Sequence, residues 1–86
     1  MGDRKVKVRV LFFGELSDAI TKDAQELEAP EGATVGDLMG LVRDRWAHEK
    51  SLFDRCMVAV NQEFASPDQP VEEADEVAIL PPVSGG

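Results

Sequence analysis

An α+β roll, in which one helix crosses one face of a small mixed sheet, is the fold this sequence predicts. Three observations carry the prediction. Residues 5–13 place apolar side chains at every second position, residues 34–46 place them at helical spacing, and the last apolar stretch, "EVAIL", is uninterrupted. Period two marks a strand, period 3.6 a helix, and an unbroken apolar run a strand buried inside the sheet.

In "KVKVRVLFFG", Val6, Val8, Val10 and Phe12 share one face, while Lys5, Lys7, Arg9, Leu11 and Phe13 share the other. The second face starts charged and ends apolar. Leu11 and Phe13 are therefore either covered by a loop or helix end, or left open as partner surface. "GELSDAITKD" carries turn and cap residues and predicts an irregular connection or a short helical turn. "AQELEAPEG" predicts a second short strand over residues 25–28, closed by Pro30 and Gly32, forming a long-looped hairpin with the first.

"TVGDLMGLVRDRW" is the strong helix. Thr34 and Asp37 have the spacing of a capping box. Val35, Leu38, Met39, Val42 and Trp46 form one apolar stripe facing the core. Gly36 and Gly40 each cost about 1 kcal/mol relative to alanine in a helix interior. Gly40 is expected to offset its cost by letting the helix lie close against the sheet. "MVAVNQEFA" predicts a hairpin turning at Asn61 and Gln62, and "SPDQPVEEAD" a turn-rich connection. The final strand puts Val77 and Ile79 on one face and Ala78 and Leu80 on the other. The predicted order is β-β-α-β-β-β-tail, with a right-handed crossover from the second strand through the helix to the next parallel partner. One domain spans residues 1–80, and an extended tail spans 81–86.

At 86 residues, 43% hydrophobic and 30% charged, the chain suits a single core. Its net charge of −8 argues against nucleic acid or an anionic membrane surface as partner and favours a basic protein. One cysteine, Cys56, makes neither an internal disulfide nor a zinc site. With no apolar run of membrane-spanning length and no signal-peptide pattern, the expected location is the cytoplasm.

Conventional enzyme machinery is not legible. His48 is the only histidine, so no two-histidine metal site is expected, and its place just past the helix suits a role beside the terminal carbonyls. Cys56 suits a small, partly buried apolar role better than a nucleophile. The seven glycines are scattered and form no phosphate-binding loop, and the acids at 72–76, like Glu15 and Asp18, read as a solvated face or turn.

The tail remains. Pro81 and Pro82 cannot extend a ladder and hold an extended course away from the sheet. At about 3.3 Å per residue, residues 81–86 reach roughly 20 Å. Val83 and Ser84 are slim, and Gly85 and Gly86 have no Cβ, so the backbone can enter a narrow channel with its terminal carbonyl unshielded. A carboxylate is a poor electrophile. A partner that adenylates it with ATP supplies a leaving group, which a thiolate or persulfide displaces to leave acyl-sulfur at Gly86. The chain itself is expected to bind no cofactor.

The stretches "VRVLFFG", "TVGDLMGLV", "VAVNQEF" and above all "DEVAILPPVSGG" resemble the small subunits of molybdopterin synthase, the MoaD type, over nearly the whole chain. That resemblance implies a ubiquitin-like β-grasp fold and a definite cycle. An E1-like adenylating enzyme activates Gly86, and a sulfurtransferase system converts it to a thiocarboxylate. The tail (Pro81, Pro82, Val83, Ser84, Gly85, Gly86) then inserts into the large catalytic subunit, in a heterotetramer, and sulfur passes to cyclic pyranopterin monophosphate. The resemblance also assigns Phe13, Phe64 and Leu80, with Leu11 beside them, to the partner interface. One departure stands out: many chains of this type have alanine after the two phenylalanines and a basic residue soon after, where this one has Gly14, Glu15, Leu16 and Ser17. A first-loop salt bridge to the large subunit is therefore not expected.

Other functions remain open on the sequence: a sulfur carrier for thiazole synthesis or tRNA thiolation, a protein modifier joined to lysines through Gly86, and an acidic binding module with an inert tail. The proline pair favours the pterin branch.

Overall fold

The computed structural model describes residues 4–82. Along the chain these form β1 (Lys5–Phe12), α1 (Glu15–Ala19), β2 (Gln25–Pro30), α2 (Val35–Arg45), a 3₁₀ segment (Ala47–Phe53), β3 (Met57–Val60), β4 (Glu63–Phe64) and β5 (Glu76–Leu80). The strands make one mixed sheet in the order β2-β1-β5-β3-β4. The α+β roll is as expected, and β5 lies inside the sheet, parallel to β1 and antiparallel to β3.

Register follows from the alternation. β1 pairs with β2 so that Val8 faces Leu27 and Val6 faces Ala29. It pairs with β5 so that Val10 faces Val77 and Phe12 faces Ile79. β3 continues both rows, with Val60 opposite Val77 and Val58 opposite Ile79. Cross-strand neighbours point to the same side of a sheet, so these residues make one continuous apolar surface. A slip by one residue would turn every one of them outward.

Helix α2 covers that surface with Val35, Leu38, Met39 and Val42, all buried. Its start is held as the capping box requires: the Asp37 N–H donates to Thr34 Oγ1 at 3.1 Å, and the Thr34 N–H donates to Asp37 Oδ2 at 3.0 Å. Two more of its first amides are taken by the 65–71 loop, Val35 N–H by the Gln69 carbonyl (2.8 Å) and Gly36 N–H by that of Pro67 (3.0 Å). The helix ends at Trp46, whose ring meets Phe12 edge-on at 5.0 Å, while the Phe53 ring lies tilted 6.2 Å from that of Phe12.

Four details differ from the sequence-based expectations. The parallel ladder joins β1 to β5; β2 and β3 run in the same direction but have β1 and β5 between them. Helix α2 therefore spans the width of the sheet rather than linking neighbours. A Cβ placed on Gly40 meets nothing within 4 Å, so this glycine secures no close approach and leaves its helix cost without compensation. The 3₁₀ segment, two short turns broken by a kink at Glu49 (φ −108°, ψ 16°) and with Phe53 buried, follows α2 where no element was expected, since single tight turns leave no readable period. And β2 runs on to Pro30, tolerated because β2 is an edge strand with no neighbour waiting for that N–H.

The remaining turns behave as read. α1 is the short helical turn, anchored by buried Leu16. Asn61 (φ 51°) and Gln62 (φ 74°) both take the left-handed conformation of a tight hairpin turn. Asn61 is held there by its side chain, which donates to Asp75 Oδ1 and accepts from the Glu76 N–H. Among the described residues, no helix is long and apolar enough to cross a membrane.

Candidate functional site

The alternation that builds the core also builds a second surface, because each strand residue skipped by the core points to the side without helix α2. On that side Leu11 faces Ala78, Ala78 faces Ala59 and Ala59 faces Phe64, a row running across four strands. A second row starts with Met57 opposite Leu80. Phe13 completes it: its N–H donates to the Ile79 carbonyl at 3.1 Å, one step beyond the β1–β5 ladder, so Phe13 lies beside Leu80. The structure thus brings the four expected interface residues, Phe13, Phe64, Leu80 and Leu11, onto one face.

Their exposure is graded. Phe64 is 72% exposed, Phe13 45% and Met57 37%, while Leu11, Ala78 and Leu80 are half-buried. Of the four large apolar side chains exposed among the described residues, only Leu41, on α2, lies elsewhere. Met57 was missed from sequence, although alternation with the core-facing pair, half-buried Val58 and buried Val60, would have found it. The patch has a sharp border. Further along β1 the same face carries Lys7 opposite Glu28 and Arg9 between Glu26 and Glu76, a ladder of opposite charges that stays in water. Around the edge strand β4, Met57 and Phe64 also form the rim of a groove of about 490 Å³, lined by Met39, Phe53, Cys56 and Pro67.

The residues weighed for chemistry are engaged otherwise. Cys56 is half-buried; its Sγ donates to the Leu52 carbonyl at 2.8 Å, and burial pushes the thiol up against the weaker pull of Arg43. His48 is exposed on the 3₁₀ segment, and the Val42 carbonyl at the end of α2 accepts from the Trp46 N–H instead. The acids of the 72–76 turn fold it: Glu73 accepts from the Lys7 N–H, and Asp75 from the Glu72 N–H and the Asn61 amide. The first amides of α2 are consumed by the cap and the 65–71 loop, which leaves no anion cradle there. Among the described residues, no group of three or more potential metal ligands converges.

At the C-terminal end of β5 the chain leaves the sheet beside the apolar patch. Pro81 is half-buried, packed on Gly14, and Pro82 is exposed. Val83, Ser84, Gly85 and Gly86, the remaining tail residues singled out from sequence, lie outside the described residues. The Gly14 departure noted above has a structural correlate here: this residue takes φ +60° directly against Pro81.

Known proteins place this architecture. Over 82 residues the chain is 39% identical to the molybdopterin synthase sulfur carrier subunit of Escherichia coli, covering 92% of this chain and 99% of that protein. Among solved structures, a putative molybdopterin converting factor subunit 1 from Pyrococcus furiosus superposes with a TM-score of 0.80 at 32% identity, over 91% of this chain and 99% of the other. A complex of subunits 1 and 2 of the molybdopterin-converting factor from Helicobacter pylori contains a chain of the same fold, with a TM-score of 0.69 at 24% identity over 94% of this chain and all of that one. The ThiS family model matches residues 10–86, from the middle of β1 through the Gly-Gly end, and the chain belongs to the ThiS family.

Proposed function

We propose that this chain is a sulfur carrier subunit acting with a molybdopterin synthase in molybdenum cofactor biosynthesis, and that Gly86 is the atom-carrying residue. The observation that carries this function is similarity over nearly the full length to molybdopterin synthase sulfur carrier subunits, joined to a sequence that runs from β5 straight into "PPVSGG". An E1-like partner joins the Gly86 carboxylate to AMP from ATP and releases pyrophosphate. A sulfur nucleophile from a sulfurtransferase system displaces AMP and leaves sulfur on the acyl carbon. The sulfur-loaded tail enters the large subunit, whose pocket holds cyclic pyranopterin monophosphate; the thiocarboxylate sulfur bonds to a carbon of that substrate, and water cleaves the acyl–sulfur bond and returns Gly86 as a carboxylate. Two such transfers complete the dithiolene that binds molybdenum.

The helix-free face supports this division of labour. Phe13, Leu80 and Leu11 lie beside the strand end from which the tail departs and Phe64 lies on the same face, so a large subunit docked there, in a heterotetramer, receives the tail without a long search. Desolvating large aromatic side chains at the centre of such a patch is where interface energy concentrates. The acidic surface complements basic partners and speeds their encounter. The location that fits these partners is the cytoplasm.

Intact mass of the protein purified from its own cells tests this. A population heavier by one oxygen-to-sulfur exchange, confined to the C-terminal peptide, is expected. A free carboxylate alone, even after incubation with ATP, an adenylating partner and a sulfur source, would sink it. Gly86 found joined to lysines instead would redirect it to protein modification.

A further inference from the structure

We propose that Gly14 is a positioning residue for the tail, a seat for Pro81 that sets the direction in which the chain leaves the sheet. Gly14 lies at φ 60°, ψ −138°, a conformation that side-chain-bearing residues rarely adopt. A Cβ built on it stands 2.8 Å from Pro81 Cγ and 3.3 Å from Pro81 Cδ. These are two independent requirements for glycine at one position, and the second concerns only the tail.

Both partners in the contact are held from behind. The Phe13 N–H bonds the Ile79 carbonyl at 3.1 Å, which ties the residue before Gly14 to the strand that ends in the tail. The Gly14 carbonyl accepts from the Ser17 N–H (3.1 Å) and from Ser17 Oγ (2.8 Å), and the next residue but one, Leu16, is buried. On the other side, Leu80 is the last residue of a central strand, and Pro81 has its φ locked by the ring. A locked ring on a fixed seat gives the following residues one starting direction. Residues that must reach a nucleotide site on one partner and a sulfur acceptor on another gain from that, because part of the ordering cost is met before docking.

This role rests on the sulfur-carrier function proposed above, and the experiment keeps the two apart. The chain is the substrate when an E1-like enzyme charges Gly86 with ATP. An unfolded fraction of a variant therefore raises the apparent KM, whereas a docked carrier with a misdirected tail lowers kcat. For Gly14→Ala, kcat falls about tenfold or more with little change in KM. For Pro81→Ala, which empties the seat without touching the core, it falls severalfold. The double variant matches Pro81→Ala alone, because the clash is gone, yet keeps the lowered Tm of Gly14→Ala, because the backbone strain remains. In the unaltered protein, nuclear Overhauser contacts join the Gly14 Hα protons to the Pro81 ring, a readout that survives even if Gly14→Ala does not fold. Absence of those contacts, a loss confined to KM, or strictly additive effects would overturn the positioning role alone. Failure of the unaltered chain to be charged overturns the carrier function, and the positioning role with it.

Discussion

Phe12 and Phe13 are the same side chain on consecutive residues, and they have opposite fates. Phe12 is 5% exposed, against Trp46 and Phe53 under the helix layer, while Phe13 is 45% exposed on the bare side of the sheet. The contrast extends to the whole sheet. One face reads Val6, Val8, Val10, Phe12, Val77 and Ile79 and is sealed by α2; the other is apolar only around Leu11, Phe13, Met57, Ala59, Phe64, Ala78 and Leu80, and charged beyond. Apolar content therefore does not separate the core from the proposed docking surface. What separates them is whether the chain itself supplies a covering layer.

The largest effect expected from breaking this contrast lies on the sealed side. Leu38, fully buried, has no room to be replaced from solvent. Leu38→Ala should cost about 2–5 kcal/mol in urea unfolding; a loss under about 1 kcal/mol would mean α2 packs loosely and the sealed face is not a close-packed core. On the bare side the same kind of truncation should leave folding alone. Phe64→Ala is expected to change stability by no more than about 0.5 kcal/mol, yet weaken the large subunit's binding by about 2 kcal/mol, or roughly 30-fold. Equal affinity for both forms would show that the partner docks elsewhere.

Thr34→Ala sharpens the comparison at the helix start. Loss of the cap should cost about 1 kcal/mol of stability with partner affinity unchanged, measured by unfolding and calorimetry side by side. Gly40→Ala should act in the opposite direction. With empty space around the new methyl, the helix gains up to about 1 kcal/mol, and a drop in Tm would disprove the open surroundings of that residue.

The smallest effect belongs to Cys56. Its thiol is pushed up by burial, so the neutral form is favoured in the folded protein. That contribution to stability is present below the unfolded thiol's pKa and is lost as pH rises through the elevated folded value. Alkylation by iodoacetamide should therefore lag behind that of an unfolded peptide and catch up only in more alkaline solution. Equal rates at mildly alkaline pH would show the thiol to be free of its carbonyl and its cover.

Much of this was legible in the residues. β1 and α2 announce themselves because their periods of 2 and 3.6 run long enough to be counted, and Thr34 with Asp37 marks the helix start by spacing alone. The 3₁₀ segment and buried Phe53 were not, because short tight turns broken at Glu49 carry no periodic signal. Gly40 was misjudged because a glycine in a helix is equally consistent with close packing and with none. Three of the four expected interface residues were within reach: Phe13, Leu80 and Leu11 follow from alternation, whereas Phe64 entered through family resemblance, β4 being only two residues long.

By itself, the sequence determined which residues alternate, where the helix begins, and that a slim Gly-Gly end follows the last strand, since these depend on local spacing and side-chain shape. Only the tertiary structure decided that β5 inserts between β1 and β3, that Phe13, Met57, Phe64 and Leu80 meet on one face, and that Gly14 lies under Pro81. Apart from the β3–β4 hairpin, those are contacts between residues tens of positions apart, and no local rule of period or propensity carries a register across such a distance.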